Sequence, residues 1–173
     1  MTIRKIKLNL GCGRKKIKGY IGIDNIKTSS VDIVHNLNRF PYPFKKNTVD
    51  EILMDNVLEH LDNVVKVLEE LDRILASNGK IIILVPYAKS DWSFVDPTHK
   101  HFFTEHSLDY FSEDFEYSYY SKVKFKIKYR FINNNSTLKH RIRNMLPLKN
   151  ILRYYLMNIY DELEFTLTKA NAK

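Results

Sequence analysis

Residues 80–85 read KIIILV, a run of apolar residues bounded by Gly79 and Pro86. It is far shorter than the roughly 18 residues of a membrane-spanning helix. It has the length of a strand, and a continuous apolar strand is expected where both faces of a sheet are covered. Ahead of it, Leu58, Leu61, Val64, Val65, Leu68, Leu71 and Leu75 recur at helical spacing with charges opposite, which predicts an amphipathic helix over 58–75. Asn56 with Glu59 three residues on reads as a capping box, and Gly79 reads as the stop. A helix leading into a buried strand is half of a βαβ unit, so the expected class is α/β with a mainly parallel sheet.

The remaining strands follow from local pattern. Residues 5–10 (KIKLNL), 19–24 (GYIGID), 31–35 (VDIVH) and 49–55 (VDEILMD) read as strands before the helix. The two prolines of 40–44 (FPYPF) make that connection a loop. After Pro86 a long loop is expected over 87–103, then a short helix capped by Thr104 and running to Phe111. Residues 122–132 alternate strictly, with Lys122, Lys124, Lys126, Lys128 and Arg130 on one face, and residues 162–168 alternate again. Residues 138–158 read as one or two amphipathic helices split near Pro147. One domain over 1–173 is expected, with a basic helical insertion at about 137–158 before the last strand.

Charge and cysteine usage narrow the class. Residues 1–116 carry 16 Lys/Arg against 17 Asp/Glu, whereas residues 117–173 carry 12 against 3. The C-terminal third is therefore a basic attachment on a nearly neutral body, either a solvated face or a surface for an anionic partner. A single cysteine, Cys12, excludes a disulfide scaffold and a multi-cysteine zinc site. The first ten residues alternate charged and apolar side chains, unlike a signal peptide. A cytoplasmic protein is the expectation.

Leu8-Asn9-Leu10-Gly11-Cys12-Gly13 ends the first strand in a glycine turn that lets a ligand approach the backbone. A dinucleotide fingerprint needs a third glycine where Lys16 stands and a helix to face a pyrophosphate. Residues 14–18 are too few for that helix, and no Gly-Lys-Ser/Thr follows as a P-loop needs. The second strand ends in Asp24, whose carboxylate suits ribose hydroxyls and repels phosphate. The ligand expected is a nucleoside with a cationic or uncharged 5′ extension, and S-adenosylmethionine (SAM) fits. Asp24 as a loop-capping acid is the plainer alternative.

With LNLGCG at 8–13, GYIGID at 19–24, VDIVHNLNRFPYPFKKNTVDEILMDNVLEHL at 31–61, LDRILASNGKIIILVPY at 71–87 and DPTHKHFFTEHSLDYF at 96–111, the chain resembles the class I SAM-dependent methyltransferases. More narrowly it looks like a compact branch with a shortened region after the glycine motif and a DPTH loop. The resemblance implies a Rossmann-like sheet of seven strands, mainly parallel, with the last strand antiparallel. It implies that Asn9, Leu10, Gly11 and Gly13 line the methionine part of the cofactor, that Asp24 holds the ribose, and that Asn36 and Leu37 meet the adenine. Asp55, at the end of the fourth strand, would line the methyl-transfer site. Asn9 and Asn36 stand where acids are common in the family; an amide oxygen accepts the same hydrogen bond without supplying charge.

Methyl transfer needs positioning and at most a base. His99 and His101 lie in the loop after the fifth strand, where an open α/β sheet presents its crevice. They are the catalytic candidates with Asp55, and Asp96 stands close enough in sequence to orient His99. The plainer reading is that the Asp96–His99 turn pins its loop. His60, at the predicted helix start, is expected to be neutral and bonded to backbone. No metal site is expected, because His99 and His101 lack a third ligand nearby. There is no Asn/Asp-Pro-Pro-aromatic stretch and no nucleophilic cysteine after the fourth strand, so two routes of nucleobase methylation are disfavoured. The expected acceptor is an oxygen or nitrogen of a small molecule or glycan. Two alternatives stand beside it: a non-catalytic module binding RNA or a partner protein through the basic third, and an RNA methyltransferase. Residues 138–158 read as a lid over the substrate or a dimer contact ahead of peripheral contact with an anionic membrane. Within 122–131 the bases and aromatics fall on opposite faces, which disfavours a nucleic-acid surface.

Overall fold

The computed structural model describes residues 5–134 and 136–170. Its centre is one sheet of seven strands: β1 (Lys7–Leu10), β2 (Ile21–Asp24), β3 (Ile33–Val34), β4 (Val49–Asp55), β5 (Leu75–Pro86), β6 (Phe125–Ile132) and β7 (Glu162–Lys169). They lie in the order β3-β2-β1-β4-β5-β7-β6. β1 to β5 pair in parallel, and β7 runs antiparallel to both β5 and β6. The Rossmann-like expectation, with an antiparallel last strand, is met. Strand order reverses between β1 and β4, and the crevice of an open α/β sheet opens beyond the carboxyl ends at such a switch.

The covering of β5 differs from expectation. Ile81, Ile83 and Val85 are fully buried, but Ile82 and Leu84 on the opposite face are only half-buried. In register with them lie Leu53 of β4 and Thr166 and Glu164 of β7. Residues 11–20 form turns rather than a crossover helix, so the β1–β2 connection lays no helix on the sheet. The face of Ile81 and Ile83 carries the core: Leu8, Leu10, Ile52, Met54, Ile81, Ile83, Phe165 and Leu167, packed with Leu68, Leu71 and Ile74 of α1 (Val64–Ile74).

The predicted helix over 58–75 is also shorter. Leu58–His60 is a single 3-10 turn, and Leu61 is extended at φ −78°, ψ 151°. α1 starts afresh with Asn63 as N-cap, whose side chain accepts the Lys66 N–H at 2.9 Å. Asn56 does not cap: it sits at φ 54° and donates its amide to Asp55 and Glu162. Freed from a capping box, Glu59 is buried. Gly79 does not end the helix; it lies inside a register shift of β5, where a Cβ would come within 2.7 Å of Leu75 Cδ1.

The expected long loop holds a four-residue helix, α2 (Trp92–Val95). The helix predicted from Thr104 is reduced to turns and a 3-10 segment, Asp109–Phe111. Between β6 and β7 stand two helices, α3 (Leu138–Asn144) and α4 (Lys149–Tyr155), separated by Leu148 at φ 57°. Two of their cations turn inward. Arg143 forms a fork on Asp161 at 2.6 and 2.5 Å, and Arg153 pairs with buried Glu105. No helix among the described residues is long and apolar enough to cross a membrane.

Candidate active site

The glycine turn is built for close approach. Gly11 and Gly13 adopt φ of 66° and 52°, where side chains are strained. A Cβ on Gly11 would lie 2.4 Å from Val57 Cγ2, whereas one on Gly13 would meet no described atom within 4 Å. Asp24 ties the turn to β2: its Oδ2 accepts the Gly13 N–H at 2.8 Å and its Oδ1 accepts the Ile26 N–H at 3.2 Å. A carboxylate has about four lone-pair sites, so Asp24 retains acceptors for further donors.

Beside this turn lies a cavity of ≈ 220 Å³ walled by Asp24, Asn36, Leu37, Val57, His60 and Leu61, among others. Asn36 Oδ1 accepts the Asn38 N–H at 2.9 Å, and the Leu37 carbonyl accepts the Tyr42 hydroxyl at 2.9 Å. Both interactions hold the wall in shape. The cavity offers acceptors to a nucleoside, and the neighbouring turn has no helix N-terminus to receive a diphosphate. These residues fit an adenosyl group.

A second cavity, of ≈ 480 Å³, opens at the carboxyl ends of β4 and β5. Asn56, Glu59, His60, Pro86, Trp92 and His99 are among its walls. His60 borders both cavities. Glu59 is fully buried, and neither of its oxygens has a hydrogen-bond partner among the described residues. Burial pushes its carboxyl up to about 7, with the charges of Asp55 and Glu162 adding to the rise and His99 opposing it.

The DPTH segment serves this cavity by a route different from the expected one. Asp96 Oδ1 accepts the Thr98 N–H at 2.8 Å and its hydroxyl at 2.7 Å. Thr98 Oγ1 in turn lies 2.9 Å from His60 Nδ1. Asp96 therefore orients His60 through Thr98, and His60 is held by a side chain rather than by backbone. His99 is oriented by the Ser93 carbonyl, 2.9 Å from Nδ1, and its Nε2 lies 3.9 Å from Glu59 Oε1.

Other expected residues stand further back. Asp55 ends β4 and pairs with Lys15 at 2.5 Å, beside Asn56 on the cavity wall. Asn9 is buried, with its amide donated to the Lys15 carbonyl at 3.2 Å, so it braces the glycine loop. The Leu10 side chain is wholly within the core. His101 is brought to neither cavity; its Nε2 bonds the Leu61 carbonyl at 2.8 Å. Lys16, where a dinucleotide fingerprint would carry glycine, pairs with Asp32 at 2.6 Å. Cys12 is buried, with its thiol pushed up by that burial and by Asp24. Glu59 was missed as a site residue because its sequence position suggested a cap.

Comparison with known proteins agrees with this geometry. A family model described as a methyltransferase domain matches residues 8–83. An uncharacterised protein of Methanocaldococcus jannaschii is 54% identical over 43 residues, which span 25% of this chain and 19% of that protein. The match thus covers about a fifth of that relative's length. A SAM-dependent methyltransferase from Archaeoglobus fulgidus superposes with a TM-score of 0.65 at 18% identity, covering 95% of this chain and 86% of that one. Phosphoethanolamine N-methyltransferase 2 of Haemonchus contortus, solved with SAM, superposes with a TM-score of 0.63 at 13% identity, covering 99% of this chain and 50% of that one. The methyltransferase-domain match thus spans the glycine turn, strands β1 to β4 and most of β5, and the seven-stranded sheet has the fold of the SAM-dependent methyltransferases on which it superposes.

Proposed function

We propose that the protein transfers the methyl group of SAM to an oxygen or nitrogen of a small-molecule or glycan-type acceptor. The observation that carries this reading is the shared wall. His60, in the 3-10 turn at Leu58–His60, borders both the ≈ 220 Å³ cavity beside the glycine turn and the ≈ 480 Å³ cavity. When bound, SAM supplies an electrophilic methyl group on a sulfonium.

The chain's own residues divide the remaining work. Gly11 and Gly13 bring bare backbone to the methionine part. Asp24 accepts from the ribose hydroxyls, and Asn36 and Leu37 border the adenine. In the second cavity His99 Nε2 accepts a hydrogen bond from the acceptor's O–H or N–H, because Nδ1 is committed to Ser93. Buried Glu59 beside it favours positive charge as the proton leaves. Asp55 with Lys15 closes the mouth of the glycine loop. α3 closes the far side, since Arg143 grips Asp161, itself a wall of the cavity. A small acceptor also agrees with the inward use of Arg143 and Arg153, which removes two cations from the surface that a nucleic acid would need.

The test uses methyl-labelled SAM with pools of hydroxylated and amine-bearing small molecules, oligosaccharides and total RNA. Label is expected in a small-molecule or oligosaccharide pool, and His99→Ala is expected to abolish it while S-adenosylhomocysteine still raises the melting temperature. Label found only in RNA overturns the acceptor class. Absence of any melting shift with either cofactor form overturns the whole reading.

A further inference from the structure

We propose that Glu59, His60 and His99 form a binding site for a divalent transition-metal ion, a two-histidine, one-carboxylate face opening on the ≈ 480 Å³ cavity. One ligand atom from each residue lies within 4.8 Å of the other two. The expectation of no metal rested on His99 with His101. The structure separates those two and sets His99 against His60, with ring centroids 4.7 Å apart.

The hydrogen bonds around the cluster assign its protons. A backbone carbonyl only accepts, so His99 Nδ1, 2.9 Å from the Ser93 carbonyl, carries the hydrogen. The Nε2 lone pair is then free and faces Glu59 Oε1 at 3.9 Å. The Thr98 hydroxyl has one hydrogen and gives it to Asp96 Oδ1 at 2.7 Å. Thr98 Oγ1 must therefore accept from His60 Nδ1, 2.9 Å away, which frees the His60 Nε2 lone pair. Both imidazoles are thus locked in the tautomer that binds a metal through Nε2, each by the kind of outer bond that metal-binding histidines make.

Glu59 is the independent pointer to a ligand. It is 0% exposed, and both oxygens lack a partner among the described residues. Buried polar atoms without partners are costly, and a carboxylate more so. At 3.9 Å from His99 the pair is too far apart for a hydrogen bond. Glu59, once its proton is displaced, brings a third lone pair to the two imidazoles, and a cation satisfies all three. Two ligand atoms on one zinc ion stand roughly 3.3–3.5 Å apart, given bonds of about 2.0–2.2 Å. The His99–Glu59 pair thus closes by about 0.5 Å on loading. Two imidazoles and one carboxylate suit zinc, iron, cobalt or nickel over magnesium or calcium.

The site stands on these side chains whether or not the cavity takes a methyl acceptor. With the metal in place, its open positions face the cavity, and the acceptor contact assigned above to His99 passes to the ion. The experiment is run without SAM, so its result is independent of methyl transfer. The full chain is stripped with EDTA and titrated with Zn²⁺ by calorimetry and with Co²⁺ by visible absorption. One ion per chain is expected, with d–d bands of nitrogen and oxygen coordination. His99→Ala and His60→Ala are expected to lose the site. Thr98→Val, which touches only the outer bond to His60, is expected to weaken it by about 10- to 100-fold with the fold intact by circular dichroism. His106→Ala, an exposed histidine paired with Asp109, is expected to bind as wild type does. No binding by the wild-type chain, or equal affinity in wild type and His99→Ala, overturns the proposal.

Discussion

Gly13 donates its backbone N–H to Asp24 Oδ2 at 2.8 Å, so the glycine turn after β1 and the acid that ends β2 act as one unit. Removing the acid therefore loosens the turn and, on the proposed reading, takes away the ribose contact as well. A ligand at 100 times its dissociation constant stabilises its protein by about 2.7 kcal/mol. Asp24→Ala is expected to lose this stabilisation by SAM and by S-adenosylhomocysteine, read as the shift in melting temperature. Asp24→Asn keeps an acceptor and should retain part of it. A full shift in Asp24→Ala contradicts the ribose assignment.

The two glycines of the turn are expected to differ. Alanine at Gly13 meets only the cost of a left-handed backbone, about 1–2 kcal/mol. Alanine at Gly11 adds the clash with Val57 Cγ2 at 2.4 Å, and overpacking costs about 1–3 kcal/mol more. Urea unfolding of both variants should rank Gly11→Ala as the less stable, with Val57→Ala restoring part of the loss. Equal costs would show that Val57 does not limit the turn.

The closure by α3 should be acid-labile. Burial by itself raises the Asp161 carboxyl, but the Arg143 fork and the Asn134 N–H hold it below its ordinary value. A carboxyl lowered in the folded state stabilises above its unfolded pKa, about 3.9. That stability is lost as pH falls through the folded value. Arg143→Met leaves Asp161 buried without its cation and is expected to cost about 3–5 kcal/mol at pH 7. The gap between wild type and variant should narrow below about pH 4, in equilibrium unfolding across pH. A gap that stays constant from pH 7 to 3 excludes this pairing as its source.

Cys12 lies under Gly22 and Ser30, with Sγ 3.7 Å from the Ser30 carbonyl and 2.9 Å from where a Gly22 Cβ would stand. Its thiol is buried and held in the protonated form. A thiol reagent such as Ellman's should leave the native chain unlabelled and react fully in denaturant. Rapid labelling of the native chain would show that the glycine turn opens.

The strands were legible because each carries its signal within a few residues: alternation in 122–132, an apolar run in 80–85, a glycine turn after 8–10. The glycine turn and its acid were legible for the same reason, since Gly11–Gly13 and Asp24 stand at the ends of adjacent parallel strands, β1 and β2. The helix over 58–75 was misread because hydrophobic spacing passes unchanged through Leu61, where the backbone turns extended. That break, which periodicity does not register, decides the direction in which Glu59 and His60 face.

Local pattern thus accounted for the strands and the glycine turn, because each depends on neighbours in the chain, whereas the pairing of β1 with β4 and of β5 with β7 joins segments far apart in sequence. The ≈ 480 Å³ cavity belongs to residues far apart in the chain: Glu59 and His60 from the turn after β4, His99 from the loop after β5, and Asp161 ahead of β7. Whether a carboxylate is solvated or stranded, and which nitrogen of a histidine keeps its lone pair, is set by burial and by partners across the cavity. Only the folded packing supplies those partners, since no residue type or spacing encodes them alone.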